Sequence, residues 1–491
     1  MQYDVAVIGA GVIGCAVARA LSLYDLDILL LEKGNDVSLG ASKANSGIVH
    51  GGYDAKHGTL KSRLSYPGNR RFSQWEAELN FGFERRGSLV LAFTREQQAA
   101  LHELLQNGIR NGVPGLRIIS RNEVLDLEPN CNPDVHSALH APHTGVCSPY
   151  ELTIALAENA VHNGADLRLR SNVTAIEHHS TGFRIHTHEG RIFRSRRLVN
   201  AAGIHAGRIA RMMGVDDIRL YPRKGQYLLF RKGSGDMVRQ VLFQLPTNEG
   251  KGVLVTSTYH GNLMIGPNAR NVDNPADLDN DADTLRYILQ TARQSLPGCT
   301  SREFIRSFSG IRATSSSRDF IIRREPSVPG CIQAAGIDSP GLTAAPAIAD
   351  MVLDLLRKDQ LALQPSGHAD PIRRRIIPRV PWNEMMPMKE ANQRAKLEPG
   401  NPDRIVCRCE QITESVIRDS LHRGILVDSV DGVKRRTRAG MGMCQGSFCG
   451  SRVAELIAHE YGWSERDVVL RGLGSGTDPR RVLRQELDDS P

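Results

Sequence analysis

No apolar run in the 491-residue chain approaches the roughly 18 residues needed to span a bilayer. The longest, in LDILLLEKG, has strand length. Tracts of Gln, Ser or Pro are also lacking, which argues against a low-complexity chain. The first residues, MQYDVAVIGAG, carry neither a basic n-region nor a small-residue cleavage site, so no secretory signal is expected. Basic residues outnumber acidic ones, 62 to 54, for a formal net charge of +8. They are spread along the chain without interleaved aromatics, so nucleic acid is not an expected partner. An anionic substrate or an acidic membrane surface suits the charge better. The expectation is a cytoplasmic protein with at most peripheral association at the inner membrane face. With 40% hydrophobic and 24% charged residues, the composition is that of a globular chain, and the length suggests about three structural units.

Nine cysteines without a secretory signal point to a reducing compartment, where clustered thiols bind metal more often than they form disulfides. Four cluster: Cys407 and Cys409 in RIVCRCEQIT, then Cys444 and Cys449 in TRAGMGMCQGSFCG. A C-x-C pair, a helical excursion and a C-x4-C pair flanked by Gly442, Gly446 and Gly450 return four thiolates to one locus. Glycines there let backbone N–H groups turn towards sulfide. Zinc fingers favour roughly two to four residues inside each cysteine pair, so a C-x-C step fits an iron–sulfur cluster better. Zinc and an empty site stand as the alternatives. Cys15, Cys131, Cys147, Cys299 and Cys331 lack such spacing and are read as ordinary buried residues.

YDVAVIGAGVIGCAVARALSLYDLDILLLEKG gives an apolar strand, a Gly-rich turn, a helical stretch, a second apolar strand and an acid. Gly9, Gly11 and Gly14 stand in G-x-G-x-x-G spacing: the first for the tight turn, the second for approach of a pyrophosphate, the third for helix–strand packing. The helix N-terminus offers free N–H groups to the phosphates, and Glu32 is placed to accept from a ribose hydroxyl. The spacing alone does not choose between FAD and NAD. SNVTAIEHHSTGFRIHTHEGRIFRSRRLVNAAG reads as hairpin strands and an apolar strand ending at Asn200-Ala201-Ala202-Gly203. CIQAAGIDSPGLTAAPAIADMVLDLL reads as strand, Gly-rich turn and amphipathic helix.

These stretches, with NSGIVHGGYD, GIRATSSSRDF and GIDSPGLTAAPAIA in the same order, resemble FAD-dependent oxidoreductases of the D-amino-acid-oxidase type. Within that family the chain is most similar to the branch of glycerol-3-phosphate dehydrogenases and L-2-hydroxyglutarate oxidases. The resemblance implies a Rossmann-like α/β FAD-binding domain interleaved with an antiparallel-sheet α+β substrate domain. It also implies FAD contacts at Gly9, Gly11, Val12, Ile13, Gly14, Glu32, Lys33, Ser42, Asn45, Ser46, Gly47, Val173, Ala202, Gly203, Gly336, Gly341, Leu342 and Thr343. The cysteine-rich stretch resembles the bacterioferritin-associated-ferredoxin-like [2Fe-2S] domain, a small helical module, with Cys407, Cys409, Cys444 and Cys449 as ligands. Such a cluster beside FAD implies electrons leaving one at a time to a protein subunit or a quinone.

His50 is the near-neutral titrating group between Ser46 and Gly52, on the stretch expected beside the flavin. Its ordinary pKa suits removal of a hydroxyl proton; a hydrogen bond to the cofactor or a polar core site is the competing reading. His57 is expected to be exposed. Arg312 and Arg318, six positions apart across a Ser/Thr-rich turn, can reach one anion with planar guanidinium groups. In the resemblance two arginines here hold the substrate phosphate, and Arg318 favours phosphate over carboxylate. Arg323 and Arg324 are read as solvated, and so is the basic run Arg373–Arg375; Lys224 and Tyr227 receive no role.

The expected segments are 1–363 for the oxidoreductase, with FAD-binding parts about 1–80, 145–215 and 305–363 and a substrate domain about 81–144 and 216–304. A Pro- and Arg-rich arm follows at 364–403, then the [2Fe-2S] domain at 404–465 and a tail at 466–491. The function expected is oxidation of a small anionic secondary alcohol, glycerol 3-phosphate first and L-2-hydroxyglutarate second. Amine oxidation and a non-catalytic electron-transfer subunit are the other readings.

Overall fold

The computed structural model describes residues 2–245 and 252–472. Most of RGLGSGTDPRR, read as a Gly-rich stretch without a following Rossmann helix, lies outside the described residues. The chain divides into two compact units: the described parts of Met1–Lys33 with Val37–Arg373, and Gly34–Asp36 with the described residues from Arg374 onward.

In the first unit the apolar strand Tyr3–Ile8 lies between Ile28–Leu31 and Ile192–Asn200, with parallel pairing on both sides. Asp166–Arg168 extends the sheet beyond Ile28–Leu31, and Cys331–Ala335 pairs with the last part of Ile192–Asn200. Parallel strands buried on both faces read as continuous apolar runs, and ILLL at 28–31 is buried throughout. The first part of Ile192–Asn200 instead carries the antiparallel hairpin Val173–His179 and Gly182–Thr187. Helix Val12–Leu21 is almost wholly buried, and small residues at Gly14, Ala16 and Ala18 let its neighbours come close. One neighbour, Gly341–Lys358, also packs on Leu60–Leu79, where a Cβ at Gly68 would stand 2.2 Å from the Thr343 carbonyl oxygen.

A nine-stranded, mostly antiparallel sheet forms the second layer of this unit, with Leu220–Lys232 paired along its length to Phe304–Ser315. Phe304–Ser315, most of which falls in the segment expected to bind FAD, takes its strand pairing from this second sheet. One face of that sheet is closed by helix Ala282–Ser295, whose Ile288 and Ala292 enter the core with Leu228, Phe230, Val255 and Ile265. Asp281 caps this helix by accepting from the Thr284 N–H at 2.8 Å.

One reading of exposed charge changes. Arg373 is not solvated: it donates to Glu158 at 2.8 Å, with both side chains nearly buried. The start of the arm is strapped to its own unit, since Pro365 bridges Tyr24 and Asp370 accepts from Asn159. Arg374 and Arg375 are exposed as expected. Arg323 and Arg324 also keep exposed side chains, Arg323 in ion pairs with Asp217 and Glu325 and Arg324 with Asp359.

The second unit packs helices Glu414–Leu421, Val430–Thr437 and Gly450–Tyr461 around Val416, Ile417, Val433, Val453 and Ile457. The sequence predicts the first, capped by Thr413 and running to Gly424, and the third, from about Ser451 to Tyr461. The middle one carries Gly432, which weakens helix propensity, but Ser429 caps it and Lys434, Arg435 and Arg436 fill its last turn.

Candidate active site and thiol cluster

The Gly-rich turn is built by close approaches that leave no room for side chains. Gly9 has φ +105°, and a Cβ there would stand 2.6 Å from the Ala201 carbonyl oxygen. A Cβ at Gly14 would meet the Gly9 carbonyl oxygen at 1.8 Å. Glu32 accepts from the Ala10 N–H at 2.9 Å, and Ser42 Oγ accepts from the Val12 N–H at 2.8 Å. The first turn of Val12–Leu21 contains no acidic residue. A helix N-terminus behind a cradle of glycines, with a carboxylate at the end of the adjoining strand, fits the pyrophosphate and ribose of a dinucleotide.

The other expected cofactor residues lie on several elements of this unit. Ile13 and Val173 are buried, Ser46 and Leu342 half-buried. Asn45 holds its own loop: its amide donates to Ala41 and Ser42 carbonyls and its oxygen accepts from the Gly47 N–H at 2.8 Å. Lys33 Nζ lies 2.8 Å from His205 Nε2, and burial, with the Lys33 charge next, lowers the pKa of that histidine. Ala202 and Gly203 follow the strand end at Asn200, whose amide bonds Gln333 and the Ala206 carbonyl. Gly336 has φ +64°, and a Cβ there would stand 2.8 Å from Ser315 Cβ. Gly341 and Thr343 open the long helix.

His50 follows the two-residue strand Ile48–Val49. Its N–H donates to Thr343 Oγ1 at 2.9 Å, and its carbonyl accepts from Asn69 Nδ2 at 2.9 Å. The half-buried ring stacks on Phe243, centroids 5.9 Å apart, and Nε2 lies 3.5 Å from Ser339 Oγ. A pinned backbone, an aromatic face and a hydroxyl beside one ring nitrogen hold the imidazole in one orientation. His57 is exposed, bonded to Asn111. Phe243 and Ser339 escape the sequence reading; the signal for Ser339 was its place in GIDSPGL, beside the expected cofactor glycines.

Arg312, half-buried on Phe304–Ser315, donates to the Asn268 carbonyl at 3.3 Å and hydrogen-bonds Tyr227. Tyr227 is buried and stacks on Phe308, centroids 4.7 Å apart. Gly225 makes room for the guanidinium: a Cβ there would stand 2.5 Å from Arg312 Nη2. Arg318 is exposed at the turn, φ +59°. Arg223, which the sequence reading passed over, pairs with Arg312 in the strand register. Lys224 faces Asp277 at 2.8 Å and is buried in that ion pair.

In the second unit Cys409 and Cys444 bring their sulfurs within 3.7 Å. Cys407 and Cys449 form the other close pair: a hydrogen bond from Cys449, with those from the Gly440 and Glu410 N–H groups, lowers the Cys407 thiol below its ordinary value against the opposing effect of burial. Among the described residues no three Cys, His, Asp or Glu side chains converge as a single-ion site requires. Two pairs of thiols with a backbone N–H aimed at sulfur fit a two-iron cluster, where each iron takes two thiolates. Gly442 permits the approach, since a Cβ there would lie 2.3 Å from Cys409 Cβ.

The family model for FAD dependent oxidoreductases matches residues 4–355. The chain belongs to this family. In this FAD-dependent oxidoreductase a second match, the BFD-like [2Fe-2S] binding domain, covers residues 405–459, so its cofactors are FAD and a [2Fe-2S] cluster. It is similar to a glycerol 3-phosphate dehydrogenase of Caloramator mitchellensis, 44% identical over 94% of this chain and 95% of that protein. An L-2-hydroxyglutarate dehydrogenase of Indibacter alkaliphilus is 30% identical over 55% of this chain and 68% of its own length. Among solved structures, the FAD-bound L-alpha-glycerophosphate oxidase of Mycoplasma pneumoniae superposes with a TM-score of 0.72, 29% identity, and coverage of 76% of this chain and 98% of that one.

Proposed function

We propose that this oxidoreductase is a dehydrogenase converting sn-glycerol 3-phosphate to dihydroxyacetone phosphate. The observation that carries the reading is His50, fixed at its backbone by Thr343 and Asn69 with Nε2 beside Ser339, in a family member 44% identical to a glycerol 3-phosphate dehydrogenase. FAD supplies the acceptor for the hydride leaving the alcohol carbon, and the cluster supplies a one-electron outlet. His50 takes the hydroxyl proton, so the carbonyl forms as hydride departs. Arg312 and Arg318 hold the phosphate. Cys407, Cys409, Cys444 and Cys449 ligate the cluster, and Gly9, Gly11, Gly14 and Glu32 seat the dinucleotide.

The electrons leave to a protein partner or a quinone. No described helix is long and apolar enough to cross a membrane; a cytoplasmic protein with peripheral contact at the inner membrane face suits this reading. L-2-hydroxyglutarate is the second candidate, because a carboxylate also fits a guanidinium and an L-2-hydroxyglutarate dehydrogenase is among the relatives. Turnover with an artificial acceptor separates them. Activity on glycerol 3-phosphate supports the first; activity on hydroxyglutarate alone overturns it.

A further inference from the structure

We propose that Arg223 is a ligand of the substrate's anionic group, acting with Arg312, and that it sets a preference for a phosphate dianion over an uncharged or singly charged group. The inference rests on the alcohol-phosphate reading above and deepens it. Arg223 on Leu220–Lys232 stands directly opposite Arg312 on Phe304–Ser315. Directly opposed residues of an antiparallel pair put their side chains on one face, with Cβ atoms roughly 4.5–5.5 Å apart. The next residue, Lys224, therefore points to the other face, where Asp277 meets its charge. Two positions along, Gly225 opposes Gly310, and the missing side chain at Gly225 seats the Arg312 guanidinium, whose Nη2 lies 2.5 Å from where a Cβ would stand.

Like charges opposed across a strand pair repel, and here the pair is also partly withdrawn from water. Burial, followed by the Arg312 charge, lowers the pKa of Arg223. Asp338 is an acid within electrostatic reach of Arg223, and Arg318 is a further cation there; the Asp338 carboxylate also takes Lys61 at 2.5 Å and Thr314 Oγ1 at 3.1 Å. Asp338 is followed by Ser339, whose Oγ lies 3.5 Å from His50 Nε2, which links the electrostatic surroundings of Arg223 to the loop beside the proposed base. An anion with three or more acceptor oxygens relieves the repulsion by bridging both guanidinium groups.

The test uses the full-length holoprotein with Arg223→Met and Arg223→Lys, checked for FAD and iron content. With glycerol 3-phosphate, Arg223→Met raises KM by about 10- to 100-fold, leaves kcat within about threefold, and Arg223→Lys recovers part of the loss. Inorganic phosphate raises the melting temperature of the parent protein and competes with substrate; in Arg223→Met both effects shrink by the same factor. Unchanged KM and unchanged phosphate binding in a cofactor-replete Arg223→Met protein overturn the proposal, as does a fall in kcat at constant KM. The phosphate arm needs no turnover. A parent protein that binds phosphate through Arg223 yet does not oxidise glycerol 3-phosphate refutes the substrate reading and leaves the anion site standing.

Discussion

The His50 backbone N–H donates to the Thr343 hydroxyl at 2.9 Å, joining two segments 293 positions apart in the chain. The same hydroxyl reaches the Ile48 carbonyl oxygen at 3.4 Å. One side chain at the start of the long helix thus fixes the strand end from which the proposed base projects. Thr343→Val keeps the shape and leaves a buried N–H without its acceptor, a loss of about 1–3 kcal/mol. Urea denaturation reads the stability loss, and steady-state kinetics read a lower kcat at near-normal KM.

His50→Gln removes the proton acceptor and keeps a polar side chain of similar reach. The expected outcome is a fall in kcat of about 10²- to 10⁴-fold with FAD content and phosphate binding preserved. An activity within a few-fold of the parent assigns the proton to another group.

At Gly9 the added methyl of alanine meets the Ala201 carbonyl oxygen at 2.6 Å, and φ +105° is unfavourable to any L side chain. Gly9→Ala is expected to cost about 2–3 kcal/mol and to purify with less than about a tenth of the parent FAD. Absorbance at the flavin band against protein concentration checks it.

Glu128 gives a pH dependence separate from catalysis. Burial raises it to about 7, opposed by hydrogen bonds from the Gln240 and Arg239 N–H groups. Between its unfolded value and about 7 the folded chain holds a proton that the unfolded chain releases, so stability falls as pH rises through that window. Glu128→Gln keeps an acceptor for both N–H groups and abolishes this slope. Comparing urea midpoints at acidic and neutral pH, the parent loses on the order of 2 kcal/mol more than the variant.

What the sequence makes legible follows short-range chemistry. Gly9, Gly11 and Gly14 announce the dinucleotide turn because each glycine answers a local steric demand, and the four cysteines announce a metal centre by spacing alone. Arg223, Phe243 and Ser339 stayed hidden because their roles arise from strand register and loop juxtaposition across more than 80 positions. Arg373 looked like solvated linker charge because it stands in a Pro- and Arg-rich run; its partner, Glu158, is 215 positions away. Val430–Thr437 was missed because Gly432 interrupts an otherwise polar segment whose cap, Ser429, lies in an unremarkable run.

The central claim is that one substrate fills both redox centres, entering at His50 and leaving through the thiol-bound cluster. It is tested most directly by titrating the anaerobic holoprotein with glycerol 3-phosphate while following flavin absorbance and the EPR signal of a reduced [2Fe-2S] centre on the same samples. The account predicts that the flavin bleaches and the cluster signal grows, and that Cys444→Ser keeps the bleaching and loses the signal. A flavin that stays oxidised with glycerol 3-phosphate, while L-2-hydroxyglutarate bleaches it, contradicts the account.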